Sequence, residues 1–237
     1  MTDREWRTST DPAAMLVAAA DRLSDRTLRL YLVGCCRRWW GLFTDEACRV
    51  AVEVAERFAD GRATEAERES AERAAVKVYG KASVIFGEHF EAAAAAMTAA
   101  QTAAEWARFR DICHRAPGLV GYPNPTTRVE SLARKHVGSA SYTDPLLARE
   151  LAEVANLLRC VAGDPWTYAV PDPRWRTAAA VGLATTIYET RDFAALPILA
   201  DALEETGCDD PAVLDHCRRH REHARGCWVV DQLRGVV

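Results

Sequence analysis

The stretch Thr27–Phe43, TLRLYLVGCCRRWWGLF, followed closely by Ala47–Phe58, ACRVAVEVAERF, decides the fold. In the first run Leu28, Tyr31, Leu32, Cys35, Trp39 and Leu42 recur at the three-and-four spacing of one helix face, and Cys36 and Trp40 widen it. A helix apolar on most sides belongs in a core rather than on a surface. In the second run Ala47, Val50, Ala51, Val54, Ala55 and Phe58 give a regular i, i+3, i+4, i+7 stripe. Joined near Thr44, the two predict an antiparallel helical hairpin with Tyr31, Leu32, Cys35, Trp39, Val50 and Val54 in its core.

Working outward, helical signals continue in both directions and no period-2 strand pattern stands out. Asp11-Pro12, Asp144-Pro145 and Asp210-Pro211 each pair an N-cap residue with a proline suited to the first helical position. Thr64 and Glu67 have capping-box spacing, and Gly61 and Gly207 follow helical runs as stops. Further helices are predicted over 65–79, 88–114, 146–161, 175–190, 194–206 and from 211 to 216 or beyond, with a short last one near Trp228. The expected fold is all-α, a multi-helix bundle of antiparallel pairs. A solenoid-like arrangement stays open, although no internal repeat supports one. The organisation reads as an N-terminal helical region 1–116, a Pro-rich loop or linker 117–145 that leaves room for a short helix over Val129–His136, and a C-terminal helical region 146–237, or else as one continuous domain.

At 237 residues the chain can bury a sizeable core, and its net charge of −4 gives no global field for polyanions. The charged N-terminus lacks a secretory h-region, and the Ala-rich run 92–104 is too short to span a bilayer. The expectation is a cytoplasmic protein with no membrane partner, whose eight cysteines are thiols, metal ligands or core residues rather than a disulfide framework.

The densest chemistry lies in the last thirty residues, where Cys208, His216, Cys217, His220, His223 and Cys227 crowd together. Soft sulfur and imidazole at this density point to a transition metal, zinc first. The run Leu196–Cys208, then His216-Cys217-Arg218, then His223–Asp231 resembles a large bacterial paralogue family to which no activity is assigned. Asp25–Leu30, Cys35–Trp39 and Val52–Gly61 resemble the same family, so the likeness covers both ends and reaches back to about Leu157. Members of that family carry a Gly/Pro-rich turn where this chain has Arg219-His220-Arg221-Glu222, which sets His220 aside. Cys208, Cys217, His223 and Cys227 then make a Cys3His set, with His216 the alternate for Cys217. The spacing has no short C-x2-C knuckle, so buried core thiols beside hydrogen-bonded histidines are the competing account.

Other candidates are thinner. Cys35-Cys36 reads as core packing, and Cys113-His114 are sequence neighbours that seldom meet as a nucleophile pair. Arg37-Arg38 beside Trp39-Trp40 reads as cations around a buried aromatic stripe. Arg218, Arg219, Arg221 and Arg225 form the densest basic cluster. Asp164-Pro-Trp166 and Asp172-Pro-Arg-Trp175 read as loops anchored by their indoles. The P-loop, Rossmann, H-E-x-x-H and G-x-S-x-G patterns do not occur. The chain therefore reads as a non-catalytic helical interaction or regulatory module. Its partner is another protein and not a nucleic acid, it carries a structural zinc ion or no cofactor, and no catalytic residue is assigned. Two alternatives stand beside it: a metal-dependent or thiol enzyme built on the cluster, with Asp215 or Asp231 as the local carboxylate, and a nucleic-acid-binding regulator using the C-terminal arginines.

Overall fold

The computed structural model describes residues 1–85, Ala93, Ala96, 125–138, 143–167, 172–219 and 221–236. Among them the regular structure is entirely helical, and no strand occurs. The chain divides into two compact units, Met1–Ala155 and Asn156–Val237.

The N-terminal unit contains α1 (Asp3–Thr8), α2 (Pro12–Ala19), α3 (Asp25–Arg38), α4 (Glu46–Ala59), α5 (Glu65–Ile85), α6 (Pro125–Val137) and most of α7 (Pro145–Ala162). The predicted caps form: Asp11 accepts from the Ala13 and Ala14 amides, and Thr64 and Glu67 make the reciprocal capping box. α3 is the central helix, with every residue from Leu28 to Cys36 buried. It stops earlier than its apolar run predicts, at Arg38. Trp39 leaves the helical region, and Trp40–Leu42 forms a 3-10 turn before Asp45 caps α4. Gly61, at φ 68°, closes α4 in a Schellman motif, with Arg62 N–H donating to the Arg57 carbonyl at 2.8 Å.

Tyr31, Leu32, Cys35, Trp39 and Val54 are buried as expected, but Val50 is 38% exposed. The buried arc of α4 runs through Cys48, Ala51, Val52, Val54, Ala55 and Glu56, because α4 packs on both α3 and α5. At about 100° per residue, Val50 lies roughly 150° from the middle of that arc. Glu56 is drawn inside by Arg37, 2.9 Å away. A second buried carboxylate, Glu150 on α7, accepts from Trp39 Nε1 at 2.6 Å and from both arms of the Arg38 guanidinium at 2.6 and 2.9 Å. Arg37 also lies 4.4 Å over the Trp40 ring. The Arg-Arg-Trp-Trp run thus serves packing and charge pairing inside this unit.

Part of the expected linker is α6, running from Pro125 to Val137; residues 117–124 and 139–142 lie outside the described residues, as does nearly all of the 88–114 helix with Cys113 and His114.

The C-terminal unit takes the end of α7 and then α8 (Ala178–Thr190), α9 (Leu196–Glu205), α10 (Pro211–Arg218) and α11 (Trp228–Arg234). α8 packs on α9 and α11, and α10 packs on α9 and α11. The core between them holds Ala184, Ile187, Tyr188, Leu196, Leu199, Leu203, Val213, Val229, Val230 and Leu233, with Trp175 half-buried against it. Pro197 sits in the first turn of α9, where its missing N–H costs little. Asp231, buried, pairs with Arg234 at 3.0 Å, and that guanidinium lies 3.5 Å over the Tyr188 ring.

Candidate metal centre

Four segments of the C-terminal unit converge at one point. Cys160 comes from the last turn of α7 and His216 from the last turn of α10. His223 comes from the irregular segment after α10, and Cys227 is the N-cap of α11. Local chemistry explains the convergence. Asp210 caps α10 through the Ala212 amide at 2.8 Å, and Arg219 turns to an extended conformation at its end. The returning segment is then tied down by Arg225, whose guanidinium donates at 3.0 Å to the Tyr188 and Glu189 carbonyls at the end of α8. Gly226, at φ 88°, makes the turn that delivers Cys227.

One ligand atom from each of Cys160, His216, His223 and Cys227 lies within 4.8 Å of every other. Cys160 Sγ is 3.3 Å from His223 Nδ1, and His216 Nε2 is 3.2 Å from Cys227 Sγ. Tetrahedral zinc with bonds of about 2.0–2.3 Å sets neighbouring ligands roughly 3.3–3.8 Å apart. No pair of ligand atoms in the quartet therefore needs to close by more than about 1.5 Å to bind an ion. Both cysteines are fully buried, His216 is 5% exposed, and His223 forms the half-buried edge, stacked on Phe193 at 6.3 Å. This group can hold a metal ion.

The charges favour such a role. Burial disfavours the Cys227 thiolate, but hydrogen bonds from Cys160, His216 and His223 and the electrostatic pull of the His216 ring outweigh it and hold the thiol well below its usual range. The Cys160 thiol is pushed up, by burial first and then by Cys227. Burial lowers His216 against the pull of Cys227, which favours the neutral ring a metal requires.

Of the four ligands expected from sequence, His223 and Cys227 belong to the quartet, and so does the alternate, His216. Cys208 and Cys217 stand outside it, and Cys160 takes a place that sequence reasoning did not give it. Cys208 has a different structural job. It follows Gly207, at φ 86°, and its amide donates 3.0 Å to the Leu203 carbonyl, closing a Schellman motif at the end of α9. That motif places an apolar side chain against the last turn of the helix, and the Cys208 thiol fills the position. Cys217 packs in the same core, its thiol pushed up by burial and then by the charges of Cys227 and Cys208. Both behave as core thiols. His220 lies outside the described residues.

The arginines of the basic cluster are largely committed within the unit. Arg218 pairs with Asp201 and Glu204, Arg219 pairs with Asp215, and Arg225 holds the end of α8. The two carboxylates considered as catalytic partners are thereby accounted for, Asp215 by Arg219 and Asp231 by Arg234. The seven described cysteines form no disulfide among the described residues, and no helix among these residues is long and apolar enough to cross a membrane. Comparison of the chain with family models, with curated proteins and with solved structures finds no match.

Proposed function

We propose that this chain is a non-catalytic helical module that acts by binding another protein, and that a structural zinc ion on Cys160, His216, His223 and Cys227 locks its C-terminal unit. The observation that carries this reading is the convergence of four soft ligand atoms within 4.8 Å. A two-sulfur, two-nitrogen tetrahedral set suits zinc above the other divalent metals. Four protein ligands also close the coordination sphere, as structural sites do, and leave no position for a substrate. Two thiolates and two neutral imidazoles cancel the charge of a divalent ion, so the centre is neutral in a pocket where both sulfurs are fully buried. With the metal site closed, the working surface is the helical exterior, hence the protein partner. Membership of the bacterial paralogue family resembled at both ends, and a cytoplasmic setting that keeps thiols reduced, belong to the same proposal.

One observation favours a second reading. Cys227 is held below the usual thiol range beside His216, the pairing of a nucleophilic cysteine and its base. Its side chain is 0% exposed, which works against attack on any substrate larger than water. Metal analysis of protein purified without a His-tag separates the two. One equivalent of zinc per chain, with Cys227 inert to iodoacetamide until a chelator is added, supports the structural centre. A metal-free chain whose Cys227 alkylates rapidly in the native state overturns it in favour of thiol chemistry.

A further inference from the structure

The indole of Trp228 donates its Nε1–H to His216 Nδ1 at 3.2 Å. An indole nitrogen can only donate, so this contact marks Nδ1 as the bare nitrogen of the ring. A neutral imidazole then carries its one proton on Nε2, the atom 3.2 Å from Cys227 Sγ, where it makes an N–H···S hydrogen bond. A metal-bound histidine has the opposite arrangement. The ligating nitrogen is bare and the other carries the proton, donating it to a carbonyl, carboxylate or water. If Nε2 takes the metal, Nδ1 must hold the proton, and two N–H groups then face each other across the Trp228 contact.

Resting on the metal reading above, we infer that Trp228 is a latch on the site: its hydrogen bond holds His216 in the non-ligating tautomer, and a metal enters only as that bond is given up. The indole is well placed to act this way. It follows Cys227 directly and opens α11, and its ring meets that of His216 edge-on at 5.4 Å. Its ring also lies against Gly163, three residues after Cys160 and just past the end of α7. A Cβ on Gly163 would sit 3.2 Å from the indole Cγ. Trp228 is half-buried rather than sealed. The proton that leaves Nε2 is matched by the one that Nδ1 gains, so the ring stays neutral throughout. Trp228 therefore lowers the affinity of the centre while shaping it, and its indole N–H reports whether the centre is filled.

The test uses the full chain, 15N-labelled and titrated with zinc sulfate. The Trp228 Nε1–H resonance, assigned by its loss in Trp228→Phe, is followed alongside zinc affinity from competition with a chromophoric chelator. The resonance should move as zinc saturates the protein. Trp228→Phe, which has no N–H to displace, should bind zinc about fivefold to tenfold more tightly, the worth of one net hydrogen bond. A wild-type chain that binds zinc with the Trp228 resonance unmoved overturns the latch and leaves the metal reading standing. So does a Trp228→Phe variant that binds zinc no more tightly while melting like wild type in chelator. If that variant does not fold, the wild-type resonance decides alone. A wild-type chain that binds no zinc removes both readings together.

Discussion

Replacing Cys160 or Cys208 by Ser distinguishes the quartet in the structure from the ligand set expected from the sequence. Both thiols are buried, at 0% and 3% exposure, so either change costs stability through packing alone. The informative quantity is instead the difference in melting temperature between excess zinc and excess chelator, from which the packing loss cancels. A metal at a thousand times its Kd adds about 4.1 kcal/mol to the folded state. For a unit the size of Asn156–Val237, each kcal/mol is worth about 4–8 °C, so zinc should raise the melting temperature of wild type by roughly 15–30 °C. Scanning calorimetry of the full chain reads this as displacement of the zinc-sensitive transition. Cys160→Ser removes a thiolate from the quartet, and its zinc increment should fall below about 5 °C, corresponding to about 1 kcal/mol or less of remaining metal stabilisation. Cys208→Ser should melt lower than wild type in both conditions and keep its increment, because its thiol closes a helix end. The reverse pattern, with the increment lost in Cys208→Ser and kept in Cys160→Ser, would refute the quartet. So would a wild-type chain with no increment.

Three further outcomes follow from the packing. Trp39→Ala should destabilise the N-terminal unit by about 3–5 kcal/mol in a denaturant titration, since the ring is 1% exposed and its removal leaves a cavity. Glu150→Gln should cost about 3 kcal/mol near neutral pH, the low end for a broken buried pair because Arg38 keeps 21% exposure. Burial alone would raise the Glu150 carboxyl, but hydrogen bonds from Arg38 and Trp39 and the charges of Arg38 and His136 prevail and hold it below its ordinary value. An acid with a depressed folded pKa stabilises above its unfolded pKa and loses that contribution as pH falls through the folded one. The gap between wild type and Glu150→Gln should therefore be full above about pH 5 and shrink as pH falls below the ordinary carboxylate range. A gap unchanged down to pH 2 would remove the ion pair as its cause. Gly163→Ala should cost at least about 1–2 kcal/mol, since φ is 64° there and the added methyl presses on Trp228. Thermal melts with an unshifted Trp228 signal would contradict that close approach.

The helices were legible because their signals are local. Asp-Pro caps, the Thr64–Glu67 box and Gly61 each act within a few residues of the end they form. What the periodicity of α4 could not show was which neighbours it would meet. Packing on α3 and α5 together turns its buried arc toward Val52 and Glu56 and leaves Val50 outside. The candidate centre was half legible for a related reason. His216, His223 and Cys227 lie within twelve residues, so their density marks the region. Cys160 lies 63 positions before His223, inside an apolar helix where a cysteine reads as core. Only the tertiary fold brings it to the others. Cys208 and Cys217 are close to these residues in sequence but stand outside the quartet. The Schellman turn instead commits Cys208 to the end of α9.

The size of the C-terminal unit makes a cross-link consequential. Its four complete helices have 13, 10, 8 and 7 residues, at or below the length at which an isolated helix is marginal in water. A unit of about 80 residues has a total stability of roughly 4–12 kcal/mol. Tying Cys160 to Cys227 closes a loop whose entropy in the unfolded chain is worth about 4 kcal/mol by the reasoning applied to disulfides. A centre on these residues would thus supply between a third and the whole of the unit's stability. A Cys3His set on Cys208, Cys217, His223 and Cys227 would close a shorter loop and carry a net negative charge among buried apolar side chains, at a desolvation cost that the neutral quartet avoids. The dependence on metal should then extend to any partner bound through this unit, whatever that partner is. Stripping zinc would release the partner by loosening the helices, and restoring zinc would recover binding without any ligand residue touching it.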